Sequence, residues 1–331
     1  MIIDSRTFAR AGLLGNPSDG YFGKTISIIV KNFGAHVQLY QSPELVIEPN
    51  ASDLHQFRNI YALRDAVKAT GYSGGIPLIK AAIKKFCEFA DEENLRLPNR
   101  NFAIRYSSNI PRQVGLAGSS AIVIATLKAL VQFYEVHIPP HLLATLALEA
   151  ETKELGITAG LQDRVIQAYE GCVYMDFEKA HVQKEGYGKY QVLNPVLLPK
   201  LYLAYKTDLS KVSGKVLNDI KTRYEQGEKH VIDTLAHIAS LAEQGKESIL
   251  QGNMKRLGEL IDENFDSRCK IMNISDSNME LVNTARSCGV TAKFTGSGGS
   301  IIGTYSDEET LKRLVFAMKK IQARVIKPIV R

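Results

Sequence analysis

Residues 115–121 read Gly115, Leu116, Ala117, Gly118, Ser119, Ser120, Ala121, and they stand between two patterns of different period. Upstream, FAIRYSSNI (102–110) is rich in β-branched and aromatic residues and reads as a strand. Downstream, AIVIATLKALVQFY (121–134) is an almost unbroken apolar run that reads as a helix ending near Tyr134. A helix that apolar has to be buried. Small residues at its start let another group approach the free N–H groups and the positive end of the helix dipole, which suits an anion. The serine hydroxyls can reach a phosphate oxygen or a Mg²⁺ ion. The same seven residues also read as a serine-capped helix packed tightly on a neighbour.

The rest of the chain mixes strands and helices. TISIIVKNFGAHVQLY (25–40) and SPELVIEP (42–49) read as a strand pair. Helices are predicted over 52–71, with Ser52 and Asp53 as caps and Gly71 as a stop, and over 76–94 with Pro77 in the first turn. Further helices are predicted over 139–156 and from 161, and GCVYMDFE (171–178) reads as a strand. The pattern restarts with a strand in 196–208, a helical stretch over about 214–244, and helices in 253–268 and 275–289. TAKFTGSGGSIIGTYS (291–306) reads as strand, glycine loop and strand; a helix over 307–321 and a strand in 323–330 close the chain. The result is an α+β chain in two blocks with a seam near 180–197, without the regular strand–helix alternation of a doubly wound sheet.

SDGYFGKT (18–25) nearly matches a phosphate-binding loop, but a strand pattern follows Thr25 where such a loop must open a helix. It reads as a turn. Cys87, Cys172, Cys269 and Cys288 are scattered, which fits reduced thiols in a cytoplasmic protein rather than a metal site. The net charge of +6 is compatible with anionic small molecules and equally with a solvated basic surface. No interleaving of basic and aromatic residues suggests nucleic acid, and no apolar segment is long enough for a membrane span. The first residues lack the basic and apolar regions of a leader. The oligomeric state stays open.

Three stretches taken together, ARAGLLGNPSDGYFG (9–23), PRQVGLAGSSA (111–121) and KFTGSGGSIIG (293–303), resemble in sequence and order the signature motifs of the GHMP small-molecule kinases. A fourth, AETKELGITAGLQDRVIQAYEGC (150–172), is similar to the segment that carries that superfamily's acidic catalytic residues. The spelling is most similar to the glucuronokinases. Asn16 and Pro17 stand where galactokinases and mevalonate kinases have Glu-His, and Ala117 lengthens the second motif by one residue.

The resemblance implies a two-domain fold, an N-terminal ribosomal-protein-S5-domain-2-like ATP-binding domain over 1–195 and a C-terminal ferredoxin-like α/β sandwich over 196–331. It implies an ATP- and Mg-dependent kinase acting on the anomeric hydroxyl of D-glucuronate. Another sugar 1-kinase of the superfamily, for galactose, galacturonate or a heptose, stays open, as do a non-catalytic sensor of ATP and sugar and a decarboxylase of the same fold. The loop Gly115–Ala121 is expected to cradle the ATP phosphates, with Gly296, Ser297, Gly298 and Gly299 packing their backbone against phosphates and substrate. Ser120, with Ser119 as a rival, and Glu151, with Glu149 and Glu154 close by, are the metal candidates; Glu151 lies twelve residues before Asp163. Read alone, Asp163 is a helix N-cap; the resemblance makes it the base that takes the sugar proton, with Arg10 beside it. Asn16 and Asp19 are expected at the sugar, although turn chemistry explains Asp19 as well. A substrate carboxylate needs a cation, and Lys215 with Ser213 and Lys211, or Arg58, Arg64, Arg164 or Arg268, are the candidates.

Overall fold

A computed structural model describes residues 1–49, 74–206 and 213–331. The expected helix over 52–71, with Arg58 and Arg64, and Lys211 lie outside the described residues.

The first sheet is built around β2 (Lys24–Ser42), whose 19 residues pair antiparallel with β1 (Ile2–Leu14) along most of their length. The sequence pattern assigns no element to residues 2–14. The second half of β1 is buried on both faces, so its Ala9, Ala11, Leu13 and Leu14 carry no clean alternation to read. The opposite edge of β2 is shared between β4 (Asn101–Ser108), through residues 35–42, and β5 (Cys172–Asp176), through residues 24–28. With β1 and β4 on both edges of its second half, β2 has no edge left for residues 42–49. The expected strand pair therefore does not form: β3 (Val46–Ile47) adds in parallel outside β4 instead. β6 (Lys189–Leu193) closes the other side against β5.

Helices α1 (Gly75–Glu92) and α3 (Pro140–Glu149) pack against α2 (Gly118–Tyr134), which lies on this sheet together with α4 (Gln162–Tyr169). α2 is the centre of the core: Ala121, Val123, Ile124, Ala125, Leu127, Leu130 and Phe133 are fully buried. Full burial of such side chains contributes about 1.5–3 kcal/mol each for the larger ones, which is why this apolar run is helix and interior at once.

α5 (Lys179–Glu185) and β6 fall inside the expected seam, so the first sheet ends later than the sequence pattern suggested. The second sheet has the order β10–β7–β9–β8, all antiparallel, from β7 (Leu201–Tyr205), β8 (Lys293–Phe294), β9 (Ser300–Thr304) and β10 (Arg324–Ile326). The single helical stretch expected over 214–244 is two helices, α6 (Ser213–Glu225) and α7 (Lys229–Leu250), which break at a turn where Arg223 pairs with Glu228. α8 (Met254–Cys269), α9 (Asp276–Ser287) and α10 (Glu308–Lys320) complete the second half. One hydrophobic cluster spans both halves, joining Leu13, Ile26 and Val123 with Leu241, Leu257 and Ile302. Gly245 of α7 meets β1 so closely that an added Cβ would stand 2.1 Å from a Leu14 methyl carbon. The α+β expectation holds. No helix among the described residues is long and apolar enough to cross a membrane.

Candidate active site

β1 pairs with β2 on one edge only, and two loops dock on its other edge. The Arg10 N–H donates to the Leu116 carbonyl (3.2 Å), and the Gly12 N–H, two residues on, donates to the Thr295 carbonyl (2.8 Å). The period of two along a strand puts both N–H groups on the same edge. The glycine segments near 115 and 296 are thereby held side by side. Thr295 Oγ1 donates to the Gly115 carbonyl at 3.2 Å, and Ser300 Oγ donates to the Val114 carbonyl at 2.5 Å. Gly115 has φ +72, and a Cβ there would lie 2.9 Å from the Gly298 carbonyl oxygen, so both its conformation and its space call for glycine.

Arg10, almost fully buried, joins these segments through its side chain. Nη1 donates to the carbonyls of Gly115 and Thr295, at 2.9 Å each. Nε and Nη2 both donate to Asp163 Oδ1, at 2.8 and 2.6 Å. Asp163 Oδ2 accepts no hydrogen bond among the described residues; it lies 4.0 Å from Arg164 Nη1. Asp163 is not an N-cap. It sits in the first turn of α4, behind Leu161 and Gln162, because its carboxylate is drawn to Arg10 rather than back to its own helix N–H groups.

Next to Asp163, Arg164 turns the other way. Nε donates to Glu151 Oε2 at 2.5 Å, Nη2 closes on the same oxygen, and Nη1 donates to the Gly160 carbonyl. Glu151 is fully buried in a single π-helical turn, Ala150–Glu154, that continues α3 and re-aims its side chain. Ser120 Oγ donates to Glu151 Oε1 at 3.3 Å. Glu149 and Glu154 do not reach this place: the first pairs with Lys85 and Lys153, the second with Lys84. A hydroxyl and a carboxylate together suit Mg²⁺, which takes one or two protein oxygens and completes its shell with phosphate and water. Ser119, half-buried, makes no comparable contact. Among the described residues no group of three or more His, Cys, Asp and Glu side chains gathers as a metal cage.

In the second glycine segment, Leu116 sends its side chain into the core, and its carbonyl and that of Gly115 are taken by Arg10. Ala117 is left-handed (φ 58), and its carbonyl accepts from Gln167 Nε2 (2.9 Å) as well as from Ala121 N. The N–H groups of Gly118, Ser119 and Ser120 open α2 and have no partner within the helix. In the third segment, the Gly296 carbonyl accepts from Arg268 Nη1 (2.7 Å), Ser297 is half-buried, and Gly299 N–H donates to Asn278 Oδ1 (2.8 Å). Gly298 and Gly299 both have positive φ.

Asp19 is buried in a short 3₁₀ turn (Ser18–Tyr21). Its carboxylate accepts from the backbone and side-chain nitrogens of Gln162, at 3.1 and 3.2 Å. Burial raises its pKa, and Gln162 only partly offsets this. Asn16 faces inward: its Oδ1 accepts from Lys293 Nζ (2.5 Å), which also donates to the carbonyls of Gly12 and Phe294. Burial, with the charges of Arg268 and Arg10, pulls the Lys293 pKa well down. Ser213 and Lys215 lie at the start of α6, their side chains outside what the structure describes. Sequence reasoning missed Gln162, Gln167 and Lys293 as site residues. Lys293 heads the third motif, but a lysine reads as solvated until it is found buried.

Comparison with known proteins gives three kinds of match. Residues 77–171 match the family model described as GHMP kinases N terminal domain, and residues 246–323 match GHMP kinases C terminal. Two Arabidopsis thaliana proteins, glucuronokinase 1 and probable glucuronokinase 2, are each 44% identical to the chain, over 91% of it and 84% of the relative. The phosphomevalonate kinase structure from Streptococcus pneumoniae superposes with a TM-score of 0.76 at 17% identity, covering 99% of this chain and 100% of that one, which is a likeness of fold.

Proposed function

The chain belongs to the GHMP kinases, and from that premise we propose that it is an ATP-dependent sugar kinase that phosphorylates the anomeric hydroxyl of D-glucuronate to give glucuronate 1-phosphate. The 44% identity to two glucuronokinases over most of the chain supports the choice of sugar acid. The observation that carries the reading is Arg10: one guanidinium ties the first, second and third glycine segments to Asp163.

Phosphoryl transfer needs clamped phosphates, an aligned acceptor and a place for its proton. The N–H groups of Gly118, Ser119 and Ser120 at the start of α2 would clamp the phosphates, with Gly115 to Ala121 and Gly296 to Gly299 shaping the space around them. Ser120 and Glu151 would hold Mg²⁺, which when bound neutralises charge on the β- and γ-phosphate oxygens. Asp163 Oδ2 would take the proton of the anomeric hydroxyl as the sugar oxygen bonds to the γ-phosphorus and the bond to ADP breaks. Arg10 fixes Oδ1, so the free oxygen keeps one direction, and its charge sits where negative charge builds. Asp19 would accept hydrogen bonds from sugar hydroxyls. Asn16 supports that turn through Lys293, and Ser213 and Lys215 stay with the sugar on the position of their segment alone. The free thiols Cys87, Cys172, Cys269 and Cys288 support a cytoplasmic setting.

A phosphorus NMR spectrum of the protein with MgATP and D-glucuronate tests this. The expected result is a new sugar-phosphate signal coupled to the anomeric proton. ATP consumed only with galactose, galacturonate or a heptose would replace the acceptor, and binding without ADP formation would make the chain a sensor.

A further inference from the structure

Several buried cations converge on this site, and all but one have their charge or their donors matched. Arg10 pairs with Asp163 and Arg164 with Glu151. Lys293 has three donors and directs them at three oxygens, those of Gly12, Asn16 and Phe294. Arg268, in the last turn of α8 and 1% exposed, is different. Nη1 is pinned by the Gly296 carbonyl at 2.7 Å, Nε points at Met272 Sδ, and the guanidinium lies 5.3 Å from the Phe294 ring centroid. Among the described residues no carboxylate pairs with it and no acceptor meets Nη2. Burial pulls its pKa down to about 10, against the charge of Asp19, while Arg10 adds to the fall. An unpaired buried charge is among the most costly features a fold can carry, and a chain that keeps one keeps it for a partner that arrives.

The position says what kind of partner. Gly296, which anchors Arg268, follows Thr295, which anchors Arg10. Asn264, one turn before Arg268 in α8, accepts from the Gly15 N–H (2.7 Å) and donates to the Asn16 carbonyl (3.2 Å), at the start of the segment that carries Asp19. Arg268 therefore lies on the Asp19 side of the centre, where the sugar hydroxyls are assigned, whereas Ser120 and Glu151 mark the phosphate side. We propose that Arg268 receives the carboxylate of the sugar acid through its free guanidinium edge, and so sets the preference for a uronate over the neutral hexose. This rests on the sugar-kinase reading above. Gly296 holds one nitrogen in place, so the planar fork is oriented before the carboxylate arrives.

The test is equilibrium binding and steady-state kinetics of wild type, Arg268→Gln and Arg268→Lys with four sugars: glucuronate, glucose, galacturonate and galactose. Wild type is expected to prefer a uronate over its neutral counterpart by about a hundredfold, the range of a buried charge-assisted pair. In Arg268→Gln that ratio should fall towards one, through KM for the uronate. Arg268→Lys, which keeps the charge without the fork, should retain part of the preference and is decisive alone if the glutamine variant does not fold. A galacturonate preference lost in the variant would sink glucuronate as substrate while upholding Arg268. A glucuronate preference that survives in Arg268→Gln, or in Arg268→Lys at the wild-type ratio, overturns the role of Arg268 and leaves the kinase reading standing. So does a lower kcat at unchanged discrimination, which would put Arg268 at the phosphoryl group. A wild type indifferent to the carboxylate overturns the role of Arg268 and the choice of glucuronate, while phosphorylation of any of the sugars leaves the kinase reading standing.

Discussion

Arg10 gives two of its nitrogens to one oxygen of Asp163 and leaves the other oxygen without a hydrogen bond among the described residues. An ordinary bidentate pair would engage both oxygens. The one-sided arrangement holds the carboxylate still, and 15% of its side chain remains accessible.

Asp163→Asn should keep this geometry and lose the proton acceptor. Turnover is expected to fall by about 10²–10⁴, the usual contribution of a positioned base, with ATP affinity within a factor of about two. Single-turnover kinetics beside calorimetric titration of ATP checks it. Undiminished turnover would remove Asp163 from the proton transfer.

Glu151 and Glu149 are neighbours in sequence with opposite fates. Glu151→Gln leaves Arg164 buried beside a neutral group, so about 3–5 kcal/mol of stability should be lost, and the Mg²⁺ concentration for half-maximal turnover should rise. Glu149→Gln alters a partly exposed cluster and should cost about 0–1 kcal/mol with no change in the Mg²⁺ requirement. Chemical denaturation and a Mg²⁺ titration of both variants separate the two.

Asp19 links function to pH. Its folded-state pKa is raised above 3.8 by burial, so the folded chain holds that proton more tightly than the unfolded chain does. Stability from this group therefore falls as pH climbs from the ordinary value through the raised one, and it is lowest above that window. Asp19→Asn removes the slope. The variant should gain melting temperature over wild type at neutral pH, with the gain shrinking in acid, while KM for the sugar rises about ten- to a hundredfold. A melting difference that does not vary with pH would contradict the assignment.

Gln167 holds the left-handed Ala117 in place by donating to its carbonyl, and to that of Phe8 at 3.1 Å. Gln167→Leu should cost about 1–3 kcal/mol from the two hydrogen bonds lost. It should weaken ATP binding about tenfold and leave sugar binding nearly unchanged, since Ala117 stands immediately before α2. Separate titrations of ATP and sugar decide it.

The site's glycine segments and its acidic residues were legible in the sequence because each serves backbone geometry or charge that only a few residue types supply. Gly115, Ser120 and Asp163 are of this kind. Two things were hidden. The strand that carries Arg10 is covered on both faces over its second half, so it lacks the alternation that betrays a strand. The choice among Glu149, Glu151 and Glu154 depends on a π turn, which shifts the helix phase in a way that composition does not record. Asp163 looked like a cap because its distant partner, Arg10, was 153 residues away.

That distance has a consequence for how the protein comes into being. Arg10 depends on groups 105, 153 and 285 residues further along. A chain is made from its N-terminus and folds as it emerges, so β1 is present long before the third glycine segment that completes its neighbourhood. Until residue 295 has left the ribosome, the guanidinium has no complete set of acceptors and the second glycine segment lacks the third as its neighbour. Phosphoryl transfer therefore waits for the third glycine segment, and a product truncated before residue 295 lacks one of the acceptors that position Arg10.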